Sequence, residues 1–420
     1  SDCLWAAPIG LQSPGGGLVP TRNWEYLRLR PGTLEPTDGT YRVMITEELW
    51  EVAYFDYVRL LAIDHPAEIE VHINDKVGPP EIVQHRLYQV SEKTLPKTAT
   101  DHNGNDVLPL LMDEDNRYVK SFARRLTQGY VEPHDLILDF GSTDLEKQTL
   151  FLTGWIQPTD TSINVMLQQH PELPGPQFPA LFVIGPDGQW QSASRPMGFP
   201  GGKTKTMAVP LTGLFPTADQ RLKITSSSEI YWDQVYVSHD SEDRPLQQIE
   251  AELVAAHSFY RGTSRRLPLH EHGPENFDAK DVASESVWPP VSGSMTSFGD
   301  VLDLLSAHDD RLVTLGTGDA VELRFKVPET PIPNGYQRTF LLYTVGYDKD
   351  SDLHTFEGQR IEPLPTSDMI SYPDYSAAPT IHQPNGHRQQ NWNRFWRQIQ
   401  NPQIPASPEE TKVPRGDYRR

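Results

Sequence analysis

A chain of 420 residues with 37% hydrophobic and 10% aromatic residues is too long for one compact core and suggests two or three domains. Its net charge of −20 is spread along the chain, which argues against nucleic acid or an anionic membrane as partner and suits divalent cations. The single Cys3 excludes an internal disulfide, a CxxC pair and a multi-cysteine zinc site, and no apolar run reaches the ~18 residues of a spanning helix.

With 38 Pro and 29 Gly placed at short intervals, long helices are interrupted and short strands joined by turns are favoured, so the predicted class is all-β. The first residues show no basic-then-apolar signal-peptide pattern and Ser1 is not a methionine, so the start is expected to be a processed end or a fragment boundary.

In chain order, the first strong signal is "YRVMITEELWEVAYFDYVRLL" at 41–61, an apolar strand pair holding the motif aromatic-aromatic-Asp-x-Val. The second is "DVLPLLMDEDNRYV" at 106–119, in which Asp106 is placed to cap a short helix whose Leu108 and Leu111 face a core. Strands "LILDF" (136–140) and "TLFLTGW" (149–155) follow. "GFPGGKTKT" (198–206) lacks the first Gly and the strand-loop-helix setting of a phosphate loop, and reads as a tight loop exposing Lys203 and Lys205. "RLKITSSSEIYWDQVYVS" (221–238) then repeats the aromatic-aromatic-Asp-x-Val motif.

The series starts again at "DVLDLLSAHDDRLV" (300–313), identical to 106–119 at eight of fourteen positions. It continues through "VELRF" (321–325) and "TFLLYTVGY" (339–347), so the chain contains a duplicated unit. The second copy lacks a closing strand, and its counterpart is the 41–61 segment. The strands around 41–75 are therefore expected to complete the sandwich begun at 300–350 or, alternatively, to end a domain whose beginning is missing. The predicted fold is two tandem β-sandwich units, jelly-roll or galactose-binding-like, with short helices and an extended C-terminal tail. The expected boundaries are 1–100 for the N-terminal β segment, 101–245 and 246–362 for the two units, and 363–420 for the tail.

On a regular strand Tyr231, Asp233, Val235 and Val237 share one face, as do Tyr54, Asp56, Val58 and Leu60. Each Asp is then half-buried and needs a partner: loop backbone amides, a tyrosine hydroxyl or a cation. A structural partner, backbone or Arg, is favoured over a cation. For metal, "DKDSDLHT" (348–355) places Asp348, Asp350 and Asp352 at alternate positions with Thr355 beyond, hard oxygen ligands of the kind that bind calcium. No Gly and no Glu at the expected distance make it an EF-hand, and a solvated acidic turn is the equal alternative. "DHNGND" (101–106) reads as a turn, and His270 and His272 with Glu271 and Glu275 read as a solvated loop. For sugar stacking the candidates are Trp155, Trp190 and Trp232. In the Pro-, Gln- and Asn-rich tail, Trp392, Phe395 and Trp396 are expected to form one face of a short helix beside Arg397, the composition of an anchor that packs either on its own domain or on a neighbouring subunit.

Several stretches carry a family resemblance: "SDCLWAAPIGL" (1–11), "ELWEVAYFDYVRLLAIDHP" (48–66), "MGFPGGKTKTMAVPLTG" (197–213), "YWDQVYVS" (231–238), "GDVLDLLSAHDDRLV" (299–313) and "HRQQNWNR" (387–394). Through them nearly the whole chain resembles the C-terminal region of bacterial proteins with FG-GAP/VCBS or tetratricopeptide repeats and an ASPIC/UnbV-type domain. The resemblance implies a secreted, cell-surface or periplasmic location, with no catalytic motif to carry over.

The expected function is a non-catalytic structural, adhesive or scaffold subunit that binds protein partners, either itself or the upstream region of its own polypeptide. The alternatives are a carbohydrate-binding module and a glycan-active enzyme. Calcium is the one expected cofactor.

Overall fold

The computed structural model describes residues 7–8, 23–78, 81–83, 86–125, 127–159, 161–175, 177–202, 204–239, 246–267, 276–286, 288–289, 291–293, 295–351, 358–369 and 372. The fold is all-β. In the first unit a sheet of Lys205–Pro210, Gln148–Ile156 and Ile230–His239 faces a five-stranded sheet of Trp190–Pro196, Ala180–Ile184, Leu222–Ser228, Tyr130–Asp139 and Thr98–Asp101. Leu150, Leu152, Val235 and Val237 from one sheet meet Leu136, Leu138, Leu181 and Ile224 from the other in one apolar core.

The second unit is assembled from both ends of the chain. Glu51–Pro66 runs antiparallel between Tyr336–Asp350 on one side and, on the other, Gln247–Ala251 and Val313–Gly316. Thr40–Thr46 pairs with Asp319–Lys326, which pairs with Leu253–Tyr260 in the facing sheet. Phe55, Val58, Leu60, Phe340 and Leu342 pack against Tyr41, Val321, Leu323 and Phe325 between the two sheets.

The two echoes in the sequence are the two halves of a single contact. Asp233 is fully buried and accepts the backbone N–H groups of Asp115 at 3.3 Å and Asn116 at 3.2 Å. Asp56 accepts the N–H of Asp309 at 3.2 Å and faces His308 Nε2 at 3.2 Å. The aspartate of the closing strand thus holds the turn of the repeated helix segment through protein partners, mainly backbone, as expected for a buried carboxylate. Local details match as well. The N–H of Leu108 donates to Asp106 Oδ1 and that of Leu302 to Asp300 Oδ1, both at 3.0 Å. Asn116 and Asp310 hold φ of 64° and 62° at the same point of the turn.

Strict alternation fails at these aspartates. Thr153 pairs with Gln234 and Gly154 with Trp232, so Asp233 is the extra residue of a β-bulge; Asp56 is the extra residue between Tyr57, opposite Val345, and Phe55, opposite Gly346. The bulge shifts the pattern, putting Trp232 on the core face with Val235 and Val237, and Phe55 with Val58 and Leu60. Tyr231 and Tyr54 turn to the outer face. Glycine is required opposite each bulge, because a Cβ at Gly154 would lie 2.7 Å from Tyr231 O, and one at Gly346 would meet Tyr54 O closer still.

Lys205 is also placed differently from the sequence expectation. It is buried at the junction of the two units, 2.7 Å from both Glu25 and Asp75, and donates to the carbonyl of Tyr26 at 2.9 Å. Surrounding carboxylates keep its ammonium charged despite burial. Lys203 lies outside the described residues.

Asp233→Ala removes the acceptor of two turn amides and is expected to lower the unfolding free energy by about 1–3 kcal/mol in urea titration. A loss near zero would contradict the capping role.

Candidate metal centre

Strand pairing builds an acidic cluster at one end of the second unit. Asp350 and Glu51 form the last register pair between Tyr336–Asp350 and Glu51–Pro66, and Asp348 lies two residues back, opposite Ala53. Residues two apart on a strand share a face, and Ala53 belongs to the core, so all three carboxylates lie on the core side of the sheet where the sandwich opens. One oxygen from each of Glu51, Asp348 and Asp350 lies within 4.8 Å of the others. Glu47, at the corner where the chain crosses between the sheets, is buried, accepts the N–H of Leu49 at 2.9 Å and shares a hydrogen bond with Glu51.

Asp348 carries the chemical tension. Its side chain is 5% exposed, and Oδ1 has no hydrogen-bond partner. Burial, then the charges of Glu51 and Asp350, push its carboxyl well above the usual range. Burial and then Asp350 raise Glu51 to about 8. Glu47 rises through burial and then Glu51. Like charges on directly opposed strand positions are destabilising, so this end of the sheet needs either protons or a cation.

The duplicated unit supplies an internal comparison. Measured from the bulge glycines Gly154 and Gly346, Asp348 corresponds to Ile156, Asp350 to Pro158, and Glu51 to Ser228 across the sheet. Ile156 is packed in the core of the first unit. The fold therefore forms without an acid here, and the second unit places one where its twin has an isoleucine.

The set consists of hard carboxylate oxygens with no histidine or cysteine, which suits calcium better than zinc. Two oxygens bound to one calcium at about 2.3–2.6 Å lie no more than about 5 Å apart, which matches the cluster. Of the four residues expected from sequence, Asp348 and Asp350 are brought together, while Asp352 and Thr355 lie outside the described residues. Sequence alone does not point to Glu51 or Glu47, whose one signal is the run "EELWE" ahead of the strand.

The other candidates separate from this site. Trp155 and Trp232 are 6% and 4% exposed, packed against Tyr231 and in the first core respectively, so neither offers a face to a sugar. Trp190 is half-buried with Lys223 at 5.5 Å and Arg221 at 5.9 Å over its ring. Asp101 closes its own turn by accepting the N–H groups of Asn103 and Asn105. Trp392, Phe395, Trp396, Arg397, His270, His272, Glu271 and Glu275 lie outside the described residues. Among the described residues no helix is long and apolar enough to cross a membrane.

No protein-family model, no curated protein and no solved structure matches this chain.

A carboxyl whose folded value is raised contributes stability below its unfolded value and loses it as pH rises through the folded one. With Glu51 raised to about 8, the ion-free protein is expected to lose thermal stability between about pH 4.5 and 8, with excess calcium reducing that loss. Thermal scans across this window in EGTA and in CaCl2 check it, and parallel curves would contradict it.

Proposed function

We propose that this chain is a non-catalytic, extracytoplasmic scaffold or binding subunit whose second β-sandwich is organised by one calcium ion. The observation that carries the calcium reading is Asp348: a buried carboxylate with an unpaired oxygen, facing Glu51 and Asp350, where the twin unit has Ile156. The extracytoplasmic placement is supported by the resemblance to repeat-bearing bacterial surface proteins. It also suits the chemistry, since three carboxylates on the rim of a sandwich fit the weak range of extracellular calcium modules, about 10⁻⁴ to 10⁻³ M.

Calorimetric titration of EGTA-stripped protein with CaCl2 is expected to give one site in that range, a raised Tm, and weaker binding of MgCl2, which demands stricter octahedral geometry. Asp348→Asn is expected to abolish binding while leaving the ion-free Tm unchanged or higher, because it removes charge from a buried position. Absence of both heat and Tm shift in the wild-type protein would overturn the reading.

The scaffold role places partner contacts on Trp392, Phe395, Trp396 and Arg397. Light scattering of the intact chain beside one ending at residue 372 is expected to show an assembly only for the former. Equal monomeric masses would count against self-association through the tail.

A further inference from the structure

The acidic strand end has a second face, and what is attached there gives the cation a consequence. Between Asp348 and Asp350, Lys349 points to the opposite side of the sheet by alternation. It is buried, and its ammonium donates to the carbonyl of Ile361 at 3.0 Å and to the Tyr372 hydroxyl at 2.8 Å. Tyr372 in turn donates to the carbonyl of Pro363 at 2.7 Å. Tyr54, three residues along from Glu51 on the same outer face as Lys349, donates to the carbonyl of Ile361 at 2.6 Å.

Around these bonds Val52, Tyr54, Tyr347, Ile361, Leu364 and Tyr372 form a separate apolar cluster. The returning segment also pairs with Ser292, whose N–H donates to Gln359 O at 3.0 Å and whose carbonyl accepts the N–H of Ile361 at 2.9 Å. The chain after the acidic strand is therefore held on the outside of the sheet by residues that alternate with the carboxylates inside it.

We propose that calcium at Glu51, Asp348 and Asp350 controls the docking of residues 358–369 and Tyr372 on the outer face of the same two strands. This rests on the calcium reading above. With the ion bound, the last rungs of the sheet, Asp348 opposite Ala53 through Asp350 opposite Glu51, stay closed and Lys349 keeps its grip on Ile361 and Tyr372. Without it, nothing ties the three inner carboxyl groups together, and those rungs open. Lys349 moves with them, and the segment is released. The sheet end converts a cation on one face into the attachment of a peptide on the other.

The test is hydrogen exchange of the intact wild-type chain, read over 358–369, in CaCl2 and in EGTA at one pH, with calorimetry on the same sample. At free calcium about ten times the dissociation constant, exchange in 358–369 is expected to slow about tenfold, while the Tyr130–Asp139 strand of the first unit is unchanged. Lys349→Met is expected to bind calcium yet expose 358–369 in both conditions. Calcium binding by calorimetry with no change in wild-type exchange would overturn this inference and leave the site standing. Equal protection by calcium in Lys349→Met would overturn the route through Lys349. If calcium does not bind at all, the site reading fails and this inference with it.

Discussion

A carboxylate taken out of water on a β-strand has to be met by a donor, a proton or a cation, and the architecture of this chain follows from how it meets that demand at three places. At Asp233 the answer is two backbone amides, and at Asp56 one amide with His308 beside its other oxygen: each aspartate is the extra residue of a bulge, and the turn of the repeated helix segment comes to it. That contact ties the closing strand to the start of each unit. At Asp348 no described donor reaches Oδ1, and Glu51 and Asp350 bring two more carboxyl groups close to it.

The bulge is what makes both answers geometrically available. It rotates Tyr54 and Tyr231 out of the core and brings Phe55 and Trp232 in, and across from it a glycine allows the close approach of the partner strand. Counting from that glycine fixes which later residues face inward. In the first unit the inward position is Ile156 and completes the core; in the second it is Asp348 and creates a charged rim. Duplication thus lets one copy keep a purely apolar end while the other acquires chemistry.

Much of the fold was legible because both halves of the key contact are local. The repeated Asp-Val-Leu segment and the repeated aromatic-aromatic-Asp strand each occur twice, and the displaced second copy at 41–61 points to pairing with 300–350, where Glu51–Pro66 lies beside Tyr336–Asp350 and Val313–Gly316. The bulge itself was not legible, since alternation is the default for a strand and a single extra residue inverts it. Lys205 looked like a loop lysine because its counter-ions, Glu25 and Asp75, come from a distant part of the chain. The acidic site was half legible for the same reason. Asp348 and Asp350 stand together in sequence, whereas Glu51 joins them only through strand pairing.

The central claim is that Asp348 is answered by a cation. The most direct measurement is anomalous diffraction from crystals of the intact chain grown with calcium. The account predicts one ion at about 2.3–2.6 Å from oxygens of Glu51, Asp348 and Asp350, and none beside Ile156 and Ser228 in the first unit. An empty site, with Asp348 engaged instead by a protein donor, would contradict it.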